Sequence, residues 1–314
     1  MADGDGDPSS EEDDIAGRAY DAFKAGRLRE AAQGFEELVR LVPDYAAYHY
    51  MRGLAHKYLR EWCLSLECNL RSIALREEAD PASHWNAGIA ATALADWAEA
   101  RRQWACCGIE LADDAGPIDA DFGTACVRLN PWGNGEVVHA RRIDPVRARL
   151  RNVPLPESGF RFGDVVLHDG ASTGRRRYGD DEYMVFNAMQ RMQASPFRTF
   201  SAFVTCEKPD DLLPLLNSQA QEIGHIEDWT SSLVNLCLRC SYGAPHMHAP
   251  PAQTDGWNPQ RTIGIAALSE AGVNEALRAW EGHGCRVDDV QVRDFPLTSP
   301  ADDSVWWLSL AEDE

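Results

Sequence analysis

Basic residues are scarce in this chain. Thirty lysines and arginines face fifty aspartates and glutamates over 314 residues, a formal charge of -20. That imbalance speaks against general binding to nucleic acid or an anionic membrane and points to a basic partner. Long apolar runs are missing too: Gly88 to Ala95 is short and interrupted by Thr92, whereas a membrane span needs about 20 residues. There is no G-x-S-x-G nucleophile turn, no Walker loop and no G-x-G-x-x-G, and Gly4 and Gly6 belong to an acidic stretch rather than a phosphate loop. The nine cysteines are an odd number in a chain large enough to build its own core, which argues against a disulfide scaffold. Met1 to Asp14 holds seven acids and no base, the opposite of a secretory signal. The expectation is a solvated acidic tail and a cytoplasmic protein.

What is present has the balance of a globular protein, 44% hydrophobic and 25% charged, which excludes disorder throughout. From Ile15 to about Leu111 the pattern reads helical, with Pro43 and Pro81 falling between periodic segments. Ala19, Gly53 and Gly88 recur at close-packing positions 34 and 35 residues apart. Leu28, Trp62 and Trp97 follow the intra-repeat turns in register. Ala31, Ser65 and Ala100 take the small position of each second helix, and Phe35, Asn69 and Trp104 the large one. This pattern resembles the tetratricopeptide repeat, a 34-residue pair of antiparallel helices with a glycine closing the first helix. The second repeat departs most, because Arg60 stands where the turn glycine belongs and Asn69 is a weak plug.

Beyond the turn cluster Asn130 to Gly135 the texture changes to short β-rich runs at Val137 to Ile143, Ala148 to Val153 and Asp164 to His168. Tyr183 to Phe186 reads as a further strand or as the start of a helix through Met192. This block is expected to form a small antiparallel sheet or barrel. Next, Thr199 to Cys206 reads as a strand, Pro209 to Ile223 as a helix, and Asp228 to Cys237 as a β-like run. Thr262 to Leu268 is again a strand, Glu270 to Trp280 a helix capped by Ser269, and Val287 to Phe295 a strand. The expected fold is multi-domain, α then α+β. An acidic disordered tail covers residues 1–14, a tetratricopeptide-like domain 15–127 and a β-rich basic segment 128–195. An α+β domain of ferredoxin-like character covers 196–314, with two strand-helix-strand units and Val305 to Leu310 as a closing strand.

The strongest chemical signal is Cys237-Leu238-Arg239-Cys240 followed by Pro245-His246-Met247-His248. Cys237 and Cys240 can grip one face of a metal, and His246 and His248 can close the other. Four protein ligands would make a structural zinc site, whereas a catalytic site keeps a position open for water. The alternative is two small core cysteines and two surface histidines. Cys63, Cys68, Cys106 and Cys107 read as packing residues, and Cys126, Cys206 and Cys285 have no obvious histidine partner nearby. His225, Glu227 and Asp228 read as the polar rim of a loop more readily than as an acid-base cluster. His139 and His168 read as structural.

One stretch runs against the acidic background. Arg128 to Arg177 contains ten arginines and five acids, including Arg141-Arg142, the alternating Arg147, Arg149 and Arg151, and Arg175-Arg176-Arg177. Arginine forks match phosphate, but within so acidic a chain an internal electrostatic seam is the preferred reading. Exposure of Arg141, Arg147, Arg149 and Arg175 on one face would favour RNA or a phospholigand.

The resemblance to tetratricopeptide proteins implies a groove lined by the first helices of successive repeats. Its positions here are Tyr20 and Phe23, then Tyr50 and Lys57, then Trp85 and Asn86. The lysine and asparagine pattern with which some family members clamp a C-terminal carboxylate is not reproduced. The leading function is therefore non-catalytic binding of a basic protein, as an immunity protein neutralising a cationic toxin or as an adaptor. The alternative is a metal-dependent enzyme acting through Cys237, Cys240, His246 and His248.

Overall fold

Small residues at fixed intervals govern the first third of the chain. The computed structural model describes residues 8–133, 135–178, 180–233, 256–282, 284–300 and 304–307. Three helical hairpins come first: α1 (Pro8–Lys24) with α2 (Leu28–Leu41), α3 (Ala46–Leu59) with α4 (Trp62–Ala74), and α5 (Pro81–Ala93) with α6 (Trp97–Cys106). Within each hairpin a missing side chain lets the helices close. A methyl placed on Gly34 would lie 2.8 Å from Ala19 Cβ, and one on Gly53 3.1 Å from Cys68 Cβ. On Gly88 it would sit 2.7–2.9 Å from three atoms of the Trp104 indole. Phe35 and Trp104 are fully buried plugs.

The second hairpin solves the same problem with polar groups. Ser65 Oγ donates to Gly53 O at 2.9 Å, and Asn69 Nδ2 donates to Ser65 O at 2.7 Å. Ser72 Oγ donates to Ala46 O at 3.0 Å. These bonds satisfy the Ser65, Ser72 and Asn69 Nδ2 donors, which would otherwise be costly to bury, so Asn69 serves as a plug although its Oδ1 accepts no hydrogen bond. The turns obey the period as well: Gly26, Arg60 and Ala95 all adopt left-handed backbone, with φ of 80°, 61° and 58°.

The acid-rich start departs from the expected unstructured tail, because α1 begins at Pro8. Glu12 accepts a 2.6 Å bond from Tyr48 Oη on α3, and Glu11 in the first turn complements the helix dipole. Tyr48 also packs edge-on against Tyr45.

The chain divides into two compact units. The helical unit runs to Ala120 and includes Pro300–Trp307, while Asp121–Ser299 belongs to the second unit. In the second, β1 (Thr124–Leu129), β2 (Glu136–Arg142), β3 (Arg147–Leu150), β4 (Val165–Tyr178) and β5 (Asp181–Gln193) form a closed barrel. Neighbouring strands are antiparallel except for the parallel pair β1 and β5 that completes the circuit. Val127, Leu129, Val138, Ala140, Leu150 and Val166 are among the residues filling its core. The stretch from Tyr183 to Met192 is therefore strand throughout.

A four-stranded antiparallel sheet follows, in the order β7 (Ile223–Asp228), β8 (Gln260–Ala267), β6 (Arg198–Cys206), β9 (Cys285–Val292). Helix α7 (Pro209–Leu216) connects β6 to β7. The short helix α8 (Trp229–Leu233) follows β7, and α9 (Glu270–Trp280) connects β8 to β9. Leu212 and Leu215 of α7 and Val273 and Leu277 of α9 pack with Phe200, Ala202, Val204, Ile263 and Ile265. Ser269 caps α9, its Oγ accepting from Gly272 N at 3.1 Å.

Several expected boundaries move. Helix α7 stops at Leu216 rather than near Ile223, because Asn217 Nδ2 donates to Leu213 O at 2.9 Å and closes the last turn. The strand expected from Asp228 to Cys237 instead ends at Asp228, and Trp229–Leu233 is helical. Asp228 causes the switch: Oδ1 accepts from Thr230 N at 3.1 Å, as helix-starting aspartates do. Of the closing strand expected at Val305 to Leu310, the described residues Val305, Trp306 and Trp307 are not strand and belong to the helical unit.

Candidate functional site

The first helix of each repeat contributes to one row of side chains. Phe23 on α1 lies 6.2 Å from the Tyr58 ring on α3, centroid to centroid. Lys57, next to Tyr58, donates from Nζ to Asn86 Oδ1 on α5 at 2.9 Å and lies 4.5 Å from the Tyr58 ring centroid. Both Lys57 and Asn86 are buried. A buried ammonium needs such partners to offset its desolvation, and the cation over the ring holds Tyr58 in place.

Tyr58 anchors the site, and the sequence reading did not select it. Trp307 stacks on it at 4.6 Å with planes 13° apart, while its indole also lies 5.6 Å from Phe23. Trp306 meets Tyr58 edge-on at 5.6 Å and Trp307 edge-on at 5.9 Å. The two indoles are 5% and 8% exposed. Four aromatic rings thus form one cluster, two from the repeats and two from a segment nearly 250 residues further along. Offset stacking and edge-on contacts are the favoured ring geometries. Tyr58 immediately follows Lys57, one of the expected groove positions, so a broader search of the repeat face could have found it.

The other selected positions play different parts. Tyr20 turns inward and meets Phe35 edge-on at 5.1 Å; burial raises its phenol pKa. Trp85 packs edge-on against Trp104 at 5.1 Å, within its own repeat. Tyr50 is half-buried on α3. Phe23, Lys57 and Asn86 are therefore joined to one another through Tyr58, while Tyr20 and Trp85 are tied into repeat cores.

Cys237, Cys240, His246 and His248 lie outside the described residues. Among the described residues no cluster of three or more histidine, cysteine or acidic side chains could hold a metal ion. His225, Glu227 and Asp228 face separate partners. His225 stacks on Phe162 at 5.5 Å, Glu227 accepts from Asn152 Nδ2 and Val153 N at 2.8 and 2.9 Å, and Asp228 pairs with Arg261.

The arginine segment does not form one exposed face. Arg128 and Arg147 are buried, and Arg147 pairs with Asp144. Arg142 lies over Phe186 at 5.4 Å, Arg141 pairs with Asp121, and Arg175 pairs with Glu182 at 2.7 Å. Among the described residues no helix is long and apolar enough to cross a membrane.

No family model matches this chain, and no curated protein is similar to it. Solved structures similar to its helical part include the TPR2B domain of yeast Sti1 in its pHsp70 complex. That likeness has 13% identity and a TM-score of 0.30, covering 31% of this chain and 78% of the other. The Arabidopsis OM64 TPR domain gives 15% identity and a TM-score of 0.29, over 31% and 80%. The CopN-Scc3 complex gives 18% and 0.31, over 34% and 62%. At such scores the likeness carries no argument about function. The tetratricopeptide-like character of α1–α6 rests on the period, the close-packing positions and the left-handed turns.

Proposed function

We propose that this protein is a non-catalytic binding protein whose tetratricopeptide-like repeats engage a basic protein partner. The observation that carries this reading is the aromatic row of the first helices, where Phe23 and Tyr58 hold two tryptophans of a non-helical segment by ring contacts. A surface that buries two indoles in this way is suited to anchoring aromatic side chains of a partner, the residues that dominate many interfaces. Charge supports the sign of that partner: residues 8–120 contain twenty acids and twelve bases. Complementary charge would raise the association rate and make it salt-sensitive. An immunity-type inhibitor of a cationic toxin is the concrete form that best combines these features, with an adaptor as the broader form. We also read the β6-α7-β7 and β8-α9-β9 units, with sheet order β7-β8-β6-β9, as ferredoxin-like.

The test is affinity capture from source-cell lysate at low and high salt, followed by mass spectrometry. The expected result is one basic protein, retained at low salt, released at high salt and lost with Tyr58→Ala. Capture of only acidic proteins, or binding unaffected by both salt and Tyr58→Ala, would overturn this reading.

For Cys237, Cys240, His246 and His248 the proposed role is a structural zinc staple. Elemental analysis should then find one zinc per chain, lost in a Cys237→Ser/Cys240→Ser variant. Metal-free protein after purification without chelator would remove it.

A further inference from the structure

The repeats already grip a segment, and that segment belongs to the same chain. Trp306 and Trp307 are nearly as buried as core residues, yet they lie in turn structure outside any helix or strand. They are held by Tyr58 from α3 and Phe23 from α1. A slot that takes one indole flat against a tyrosine and a second edge-on selects two adjacent bulky aromatic residues. A ligand carried on the same chain binds as an intramolecular event, at an effective concentration set by its tether and not by the amount of protein. An outside ligand for the same slot must displace it, and its apparent affinity falls by the fraction of chains whose slot is open.

Charge gives such a ligand its advantage. The seven residues after Trp307 include Glu312, Asp313 and Glu314 and no base, so this segment has the same sign as the acidic repeats. A partner carrying the same aromatic pair among lysines or arginines would be opposite in charge to the repeats, whose residues 8–120 contain twenty acids and twelve bases. We propose that the Phe23–Tyr58 slot recognises a paired-aromatic, basic linear segment of the partner, and that Trp306-Trp307 keeps the slot closed until that segment displaces it. This rests on the protein-binding reading above and adds the chemistry of the bound element and its regulation.

The test uses two labelled peptides and the full-length chain. One peptide spans residues 304–314; the other is the same with Glu312, Asp313 and Glu314 replaced by lysine. Fluorescence anisotropy should show that a Trp306→Ala/Trp307→Ala chain binds both. The lysine peptide should bind at least tenfold more tightly at low salt, with the gap narrowing at high salt. The unmodified chain should bind each peptide at least tenfold more weakly, and adding Tyr58→Ala to the double variant should abolish binding. Equal binding by the unmodified and doubly substituted chains, or no binding by a double variant with full helical circular dichroism, would overturn the proposal.

A second measurement does not depend on the variant folding. Hydrogen exchange at residues 304–307 of the unmodified chain should accelerate as the lysine peptide saturates. Unchanged exchange with peptide bound would overturn displacement. A doubled sedimentation mass that Trp306→Ala/Trp307→Ala abolishes would place the segment in a second copy and overturn closure within one chain. Failure of the protein-binding reading looks different: both peptides bind as described but lysate capture returns no basic protein. If capture succeeds and neither peptide binds, only the present inference falls.

Discussion

His168 shows what burial does to one titratable side chain. It is fully buried in the barrel, stacked on Phe186 at 4.6 Å, with Nδ1 accepting from Gly170 N at 3.1 Å. Burial, and secondarily Arg142, pushes its pKa down to about 3 from 6.5. The unfolded chain therefore takes up a proton near pH 6.5 that the folded chain refuses until about pH 3. Stability should fall across that window as pH drops, with a limiting slope of about 1.4 kcal/mol per pH unit for this one proton. Urea midpoints measured from pH 7 to pH 4 should decline less steeply for His168→Gln than for the unmodified protein. Equal slopes would show that His168 is not the responsible group.

Glu136 has the opposite sign. Burial pushes its carboxyl up to about 8, although Leu155 N donates to it at 2.9 Å. Here the unfolded chain loses a proton near pH 4.5 that the folded chain keeps until about 8, so stability should fall as pH rises between those values. Glu136→Gln should flatten that fall in a urea series extended from pH 4 to pH 9. Cys206 and Cys285 meet across β6 and β9 with sulfurs 3.7 Å apart. Burial pushes the Cys285 thiol up to about 11, which suits the packing role expected of the cysteines. The pairing itself could not be read in advance, because 79 residues separate the two.

At the scale of the element, close approach and backbone hand decide which substitutions matter. A β-carbon on Gly88 would overlap Trp104, so Gly88→Ala should destabilise the helical unit by about 1–3 kcal/mol through overpacking. Gly264 on β8 is as crowded: a β-carbon there would lie 2.2 Å from the Trp229 indole. Trp229 in turn donates from Nε1 to Val153 O at 3.0 Å, tying the end of the β3 loop to the sheet. Gly264→Ala should therefore cost a similar amount, and guanidinium melts of both variants would show it. Ala95→Gly should act in the other direction. Left-handed backbone costs a non-glycine residue about 1–2 kcal/mol, offset by the greater entropy glycine loses on folding. A net gain of about 0.5 kcal/mol is expected, readable as a small rise in the denaturation midpoint.

These elements were legible in unequal measure. The turn position of the second repeat was recognised by period alone, and Arg60 adopts the left-handed backbone that the missing glycine would have taken. The start and cap of α9 were equally clear, because Ser269 and the helical spacing after it are local signals. The end of α7 was not, since it depends on one side-chain bond from Asn217 rather than on hydrophobic spacing. The helical start of α1 was missed because its support, Tyr48, comes from another helix.

For the whole molecule, the decisive pairings are distant. Asn86→Ala would deprive the buried Lys57 ammonium of its acceptor on α5, and a loss of about 1–3 kcal/mol is expected. Chemical denaturation would check the magnitude, and an unchanged midpoint would show that the other contacts of Lys57 suffice. By itself the amino-acid sequence determined the repeat period, the small residues that let helices touch, the β-rich texture and the acidic charge. Those properties are local or additive, and so survive being read one segment at a time. Only the tertiary structure decided that β1 and β5 close a barrel, that Arg147 is buried on Asp144, and that Tyr58 receives Trp306 and Trp307. Each brings together residues whose separate patterns carry no mark of the other, because burial and ring geometry exist only once the chain has folded.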